Sequence, residues 1–128
     1  MIPILLVAAA VTAPAPIAEM RWNKRILLIA APRADDPGIV AQRRALSGWD
    51  REARERDLAI VTVIGERVAG SADNAASLRK AHRLPRDRFV AILIGKDGGE
   101  KMRSATPIAA ETLADTIDAM PMRRSGGR

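Results

Sequence analysis

The side chains best suited to chemistry are two charged pairs that lie far apart in the sequence. Arg33 and Asp35 follow the first long apolar run of the chain's middle part, while Lys96 and Arg103 lie before and after a glycine pair. Cationic groups bind anions, and a carboxylate with a perturbed pKa can transfer protons. If the fold gathers these four side chains in a pocket at one end of a sheet, they would form an active site that needs no sulfur.

A second interpretation of the same loop is simpler. Arg33, Asp35 and Asp36 stand between an apolar run and Pro37, which is a good first residue for a helix. Arg33 and the free N–H groups of that helix could bind an anion or a peptide. Alternatively, Asp36 caps the helix and Arg33 is solvated or paired with Asp35. Two carboxylates in an open loop remain ionised, which disfavours acid–base catalysis by them.

Lys96 and Asp97 precede two glycines, in a composition shared with phosphate-binding and calcium-binding loops. The spacing of a P-loop is missing, and one carboxylate is too few for calcium. Aspartate and glycine tolerate the left-handed backbone that a tight hairpin needs. The segment therefore predicts a hairpin turn, and Lys96, Asp97 and Arg103 are its candidate binding residues.

Arg123 and Arg124 follow a methionine–proline–methionine segment near the end of the sequence. They could hold a carboxylate of the domain itself, with Asp97 and Asp118 as possible acceptors. They could instead dock a partner or an anionic surface. Their position just past a helix favours a packing latch over a binding tail.

Composition excludes several classes of function. The sequence has no cysteine and one histidine, His82, so disulfides, thiolate metal sites, cysteine nucleophiles and dithiol redox chemistry are excluded. A lone histidine near a helix end is typical of a surface or capping residue, and no metal or cofactor is predicted. The formal net charge is +6, but charges of both signs are interspersed and few aromatic side chains could stack on bases. Nucleic acid is therefore not a predicted partner.

Residues 1–18 carry one long apolar run and no charge before Glu19. The run is shorter than the roughly 20 residues that span a bilayer, and its length is typical of a secretory signal peptide. We predict cleavage after Ala18, export to the periplasm or medium, and no transmembrane span afterwards. A mis-set start codon would equally explain the missing N-terminal basic residue. Residues 19–124 form the predicted domain, and residues 125–128 a flexible tail.

The elements that must position these side chains are read from apolar patterning. Unbroken apolar runs predict strands, and apolar residues at helical spacing predict helices that end near prolines. Trp22, next to several basic residues, is predicted to cover one end of the sheet, the alternative being a membrane interface. The predicted class is α/β, with the order β-α-β-α-β-β-α and a four-stranded mixed sheet flanked by helices. The predicted strands are residues 26–31, 58–64, 89–94 and 100–104, and the predicted helices are residues 37–55, about 71–83 and 106–120.

Residues 20–124 resemble a bacterial family of domains of unknown function with a minimal thioredoxin-like fold. The matching segments are far apart and occur in order: Arg21-Trp22, Asp57-Leu58, Ile94-Gly95-Lys96-Asp97-Gly98-Gly99 with Lys101 and Arg103, and Ile117-Asp118-Ala119-Met120-Pro121-Met122-Arg123-Arg124. The family is similar to domains of vertebrate extracellular-matrix proteins of the sushi-repeat and coiled-coil-domain types, and distantly to peroxiredoxins and thioredoxins. The resemblance implies the fold but assigns no activity.

The resemblance also locates what is missing. Thioredoxins carry their redox cysteines after the first strand and at the start of the next helix, where this sequence has residues 31–36 without sulfur. Disulfide exchange and thiol-based peroxide reduction are excluded because both need a thiolate. We therefore expect a non-catalytic binding or structural module of the cell envelope, engaging a protein or a small anion at this loop. The alternative is the non-sulfur enzyme described above, and the oligomeric state stays open.

Overall fold

The computed structural model describes residues 13–124, with side chains described as far as residue 123. Residues 1–12 and 125–128, on which most of the predicted signal peptide and the whole predicted tail fall, lie outside this range. The strands are β1 (Arg25–Ala31), β2 (Leu58–Ile64), β3 (Arg67–Ala69), β4 (Val90–Ile94) and β5 (Glu100–Ser104). The helices are α1 (Ile17–Met20), α2 (Pro37–Ala45), α3 (Asp50–Glu55), α4 (Ala75–His82), α5 (Ala110–Asp118) and α6 (Pro121–Arg124).

The strands form one mixed sheet in the order β3-β2-β1-β4-β5. β1 pairs in parallel with β2 and antiparallel with β4, so the three long predicted strands lie side by side. The predicted class is confirmed, but the sheet has five strands, and the prediction of four is wrong. The fifth, β3, lies in the predicted loop at residues 65–70, where Gly65 at φ +58° turns the chain back onto β2. Three residues carry too little apolar pattern to be recognised as a strand.

The sheet divides the core into two layers. β1 and β4 are buried along their whole length, as expected for central strands covered on both faces. Leu27 and Leu93 belong to the layer that includes residues of α2, α3 and α5, whereas Leu28 and Ile92 belong to the layer of α1 and α4. Each of these four side chains is fully buried, and such burial stabilises the fold by about 1.5–3 kcal/mol per side chain.

The single helix predicted over residues 37–55 is two helices, α2 and α3. Gly48 at φ +75° lies in the break between them, a backbone conformation that an α-helix cannot contain. Val40, predicted to face inward, is 44% exposed, because it lies about 100° around α2 from the buried Ile39. Ile39, Leu46 and Ala53 are buried as predicted.

Two helix starts and one aromatic position also differ from prediction. α4 is capped by Asn74, whose Oδ1 accepts from the Ser77 N–H, and not by Ser71 or Asp73. α5 begins at Ala110 because the Ser104 hydroxyl accepts from the Thr106 N–H and holds a turn at the predicted start. Trp22 does not cover the sheet, since it is 57% exposed.

Gly70, just after β3, is a position where only glycine fits. Its φ is +88°, and a Cβ built on it would lie 2.3 Å from the backbone oxygen of Ile60. We expect Gly70→Ala to lower the free energy of unfolding by about 1–2 kcal/mol more than Gly48→Ala, because a backbone atom cannot move aside. Gly48 is the matched control, with φ +75° and open space around its Cβ position. Urea denaturation measures both variants, and equal losses would contradict this account.

None of the helices within residues 13–124 is long and apolar enough to cross a membrane.

The N-terminal part of the described chain packs against the rest of the domain. Ile17 is buried in the layer of α4, and its N–H donates to Asp73 Oδ2 over 2.8 Å. Residue 17 is therefore part of the folded core.

Candidate functional site

The four residues of the predicted non-sulfur active site do not gather at one end of the sheet. Arg33 and Asp35 follow the carboxyl end of β1, and Lys96 follows the carboxyl end of β4. Because β1 and β4 are antiparallel, these carboxyl ends lie at opposite ends of the sheet along the strand direction. Arg103 lies within the edge strand β5. That predicted cluster is wrong.

The loop at residues 31–36 has the simpler of its two predicted arrangements. Arg33 Nε lies 3.4 Å from Asp35 Oδ1, and both side chains are 78% exposed. Asp36 Oδ1 accepts from the Gly38 N–H over 2.8 Å and caps α2. Residues 31–36 do not line any of four well-formed cavities within residues 13–124. An exposed ion pair of this kind contributes little free energy to the stability of the fold.

Arg103 and His82 are connected on the outer edge of β5. Arg103 Nε donates to Glu100 Oε1 over 2.8 Å, and its Nη2 donates to the His82 carbonyl over 2.5 Å. The pKa of Glu100 is lowered, chiefly by the hydrogen bond from Arg103. Arg103 therefore joins the edge strand to the end of α4.

A cavity of about 340 Å³ lies at the end of the sheet opposite residues 31–36, where β1 begins and β4 ends. We call it the basic groove, and its larger lining side chains are Trp22, Arg25, Lys96, Asp97, Lys101, Met120 and Met122. Trp22 and Met122 are 57% and 41% exposed, and both are among the few large apolar side chains that the described chain presents to solvent. Exposed apolar residues gathered at one concave site are typical of binding surfaces.

Trp22 is held in an unusual conformation. Its φ is +72°, in the left-handed region that a bulky residue rarely adopts. The Trp22 N–H donates to the Lys96 carbonyl over 2.6 Å, and the Arg21 guanidinium lies 5.0 Å from the centre of the indole ring. Strained backbone that presents an exposed aromatic ring is more often found at functional sites than elsewhere.

The lysines of the groove are fixed by carboxylates. Lys96 Nζ, almost buried, lies 2.9 Å from Asp57 Oδ2. Lys101 Nζ lies 2.8 Å from Asp97 Oδ2, and the Gly99 N–H donates to the other oxygen of Asp97. These two bonds, that of Lys101 first, hold the pKa of Asp97 below its usual value. Gly98 at φ +83° completes the predicted hairpin turn, which is confirmed.

Arg25 forms the floor of the groove. It is 1% exposed, its Nη1 donates to the Arg56 carbonyl over 2.8 Å, and its Nε lies 3.3 Å from Met120 Sδ. Burial, followed by the nearby Arg123, lowers the pKa of Arg25, yet arginine remains charged at every physiological pH. Its hydrogen-bond acceptors are neutral, while the nearby carboxylates of Asp57 and Asp118 act on its pKa in the opposite direction to burial.

Arg123 takes part in the packing latch predicted for it. Asp118 accepts from Arg56 Nε and Nη2, both over 3.1 Å, and from Arg123 Nε over 3.3 Å. Arg123 Nη1 also donates to the Glu55 carbonyl over 3.0 Å. The latch joins α3, α5 and α6 beside the groove, while the side chain of Arg124 lies outside the described part.

The latch predicts a pH dependence of stability. Hydrogen bonds from Arg56, then those from Arg123, hold the pKa of Asp118 below its ordinary value of 3.8. A carboxylate with a lowered folded-state pKa contributes stability above its unfolded pKa, and loses it as the pH falls through the folded value. We expect wild type to exceed Asp118→Asn in unfolding free energy at neutral pH, and this excess to shrink at about pH 3. Urea denaturation at both pH values measures it, and an excess independent of pH would refute the assignment.

The sequence does not place Met122 at a binding site, and for Trp22 and its basic neighbours it offers only the alternative of a membrane interface. The exposure of Trp22 and Met122 follows from the turn before β1 and from α6. Arg25 adjoins an apolar run, and no local pattern indicates that a charged residue at its edge is buried.

The groove has the chemistry of a binding site for an anionic, partly apolar group. The carboxylates beside it, Asp57, Asp97 and Asp118, are each bound to lysine or arginine. Arg21 and Arg25 therefore leave an excess of positive charge next to exposed apolar side chains. Within residues 13–124 no group of acidic or histidine side chains is arranged to hold a metal ion.

Comparisons with known proteins agree with the architecture. The profile of the family described as "Domain of unknown function (DUF4174)" matches residues 16–126. Coiled-coil domain-containing protein 80 of Danio rerio is 23% identical over 130 residues, which cover 84% of this chain and 15% of that protein. The chain thus corresponds to a small part of that relative. The reduced 2-Cys peroxiredoxin of Plasmodium vivax is similar in structure, with a TM-score of 0.62, 14% identity, and coverage of 85% of this chain and 84% of that one. At this identity the likeness shows the thioredoxin-like fold alone.

Proposed function

We propose that this chain, which belongs to the family of domains of unknown function DUF4174, is a non-catalytic binding module built on a thioredoxin-like fold. Its ligand in this proposal is an acidic segment of a partner protein that carries an apolar side chain. The site is the basic groove. The observation that carries the proposal is the exposed, strained Trp22 beside a cavity with the buried cation Arg25 at its floor.

The loop at residues 31–36 supports the non-catalytic part of the proposal. The sequence has no cysteine with which to perform thiolate chemistry. The groups that replace it are a capping carboxylate, Asp36, and an exposed ion pair between Arg33 and Asp35. Arg33 and Asp35 pair with each other, Asp36 caps α2, and the loop does not line the cavities described above. We therefore place ligand binding at the opposite end of the sheet.

The groove supports the choice of an acidic partner with an apolar anchor. An anion alone would leave Trp22 and Met122 in water, and an apolar group alone would make no use of the positive charge of Arg21. A side chain such as leucine between Trp22 and Met122, flanked by carboxylates near Arg21 and Lys101, would satisfy both kinds of surface. Aromatic residues and arginine are the types that contribute most to protein interfaces.

We also propose that the protein is exported and acts in the cell envelope. The support is the apolar, uncharged segment at residues 2–13, which has the length of the hydrophobic region of a signal peptide. Cleavage after Ala18 would remove Ile17, which is buried, so we now place the cut upstream of Ile17. Mass spectrometry of the purified mature protein should give a first residue between 14 and 17. A first residue at Met1 or beyond Ile17 would contradict this part.

The binding proposal is tested by calorimetric titration of the whole protein. The probe is a short capped peptide of glutamates with one central leucine, and its control has lysines in place of the glutamates. We expect saturable binding of the acidic peptide alone, weakened strongly in about 1 M salt, where the Debye length is roughly 3 Å. Equal binding of both peptides, or no binding up to about 1 mM, would overturn the proposal.

A further inference from the structure

We infer a second ligand site on the other side of the sheet, which takes a small amphiphile with an unbranched apolar chain and a carboxylate head group. The site is a cavity of about 370 Å³ between α1, α4 and the ends of β1 and β4. We call it the α4 cavity. Its lining and that of the basic groove have Gly95 in common, and Arg21 on its rim also lies over the ring of Trp22 in the groove. The inference does not depend on the proposed function.

The floor of the α4 cavity is apolar and buried. Its large side chains are each at most 8% exposed: Ile17, Ile26, Leu78 and Ile94. Pockets that hold small molecules have volumes of about 300–1,000 Å³ and mainly apolar walls. The volume of the α4 cavity lies at the lower end of this range. It therefore fits a single short alkyl chain better than a peptide segment or a large cofactor.

The rim of the cavity is cationic. Arg21 and Lys24 line it and are exposed, so their charged groups lie in water at the mouth. A carboxylate at the end of an alkyl chain would meet these cations while its chain covered the buried floor. An inorganic anion would leave the apolar floor in contact with water, and an uncharged alkane would make no ionic contact with the cations of the rim.

The charged side chains of the lining sum to a net positive charge, because the cations Arg21 and Lys24 outnumber the single carboxylate, Asp73. Asp73 is the acidic residue of the lining, and its Oδ2 accepts from the Ile17 N–H and from the Ser71 hydroxyl. His82 lines both this cavity and a neighbouring one beside Glu100 and Arg103 of β5. Burial, the largest effect, lowers the pKa of His82, so its ring is neutral at neutral pH.

The site is tested on the full chain with decanoate as the probe and decanol as its uncharged counterpart. Methyl NMR should show saturable shifts of Ile26, Leu78 and Ile94 with decanoate, and weaker binding of decanol. Ala81→Leu, on the exposed side of α4 and in the cavity lining, should fill the cavity and reduce the affinity about tenfold or more. Ala76→Leu is the matched control, since Ala76 is exposed on the same helix but does not line the cavity.

A second variant keeps the test independent of packing. Lys24→Gln removes one rim charge and should weaken decanoate several-fold while leaving decanol unchanged, whereas Lys80→Gln on the exposed face of α4 should change neither. The inference is overturned if decanoate leaves these methyl signals unmoved, if Ala81→Leu binds as wild type does, or if the shifts occur at Met120 and Met122 instead. The last result would place the amphiphile in the basic groove.

Discussion

Replacing Gln42 by alanine should lower the free energy of unfolding by about 3–5 kcal/mol. Gln42 is 0% exposed, and its side chain makes two buried hydrogen bonds to one residue of a distant segment. Nε2 donates to the Ile108 carbonyl over 2.8 Å, and Oε1 accepts from the Ile108 N–H over 2.7 Å. Alanine would leave both backbone groups without partners and open a cavity, and these losses add.

The measurement is urea denaturation followed by circular dichroism. Arg43→Ala is the matched control, because Arg43 is the next residue of α2 and is exposed. We expect the control to stay within about 0.5 kcal/mol of wild type. A Gln42→Ala loss no larger than that of the control would show that Gln42 does not tie α2 to the segment before α5.

Replacing Trp22 by alanine should weaken the acidic leucine peptide by about 30-fold, equivalent to roughly 2 kcal/mol. The stability of the domain should change little, because the indole is 57% exposed and lies outside the two core layers. Binding is measured by calorimetry and stability by thermal melting. Loss of binding together with loss of folding would instead make Trp22 a structural residue.

Val40→Ala is the control for this variant. Val40 is also a large apolar side chain with substantial exposure, 44%, but it lies on α2 and not in the groove. We expect its affinity to equal that of wild type. A comparable loss of affinity in Val40→Ala would mean that exposed apolar area, and not the groove, determines binding.

Much of the fold could be predicted because its determinants are local. The run at residues 89–94, followed by Asp97 and Gly98, predicts a buried strand and a hairpin, and β4 and β5 form them. The β1 and β2 pairing is also confirmed as parallel. The break between α2 and α3 could not be predicted, because Gly48 inside an apolar helical pattern is tolerated in many helices.

The candidate site was less predictable, because it depends on strand direction and burial. Lys96 and Arg33 each follow a buried strand, and the sequence alone does not show that the two strands run in opposite directions. The burial of Arg25 depends on acceptors from Arg56 and Met120, which are distant in sequence. The helix cap at Asp36 and the latch contact of Arg123 could be predicted, since each depends on residues nearby in the sequence.

The central claim, that the basic groove is the binding site, is tested most directly through the two tryptophans of the sequence. Each has one indole N–H signal in the NMR spectrum of the nitrogen-15-labelled protein. Trp49 serves as an internal control. It packs against the core layer that includes residues of α2, α3 and α5, and the Arg56 guanidinium lies 5.7 Å from the centre of its ring. On titration with the acidic leucine peptide, the Trp22 signal should shift saturably and the Trp49 signal should stay in place. A shift of Trp49 alone, or no shift of Trp22 while calorimetry records binding, would contradict the account.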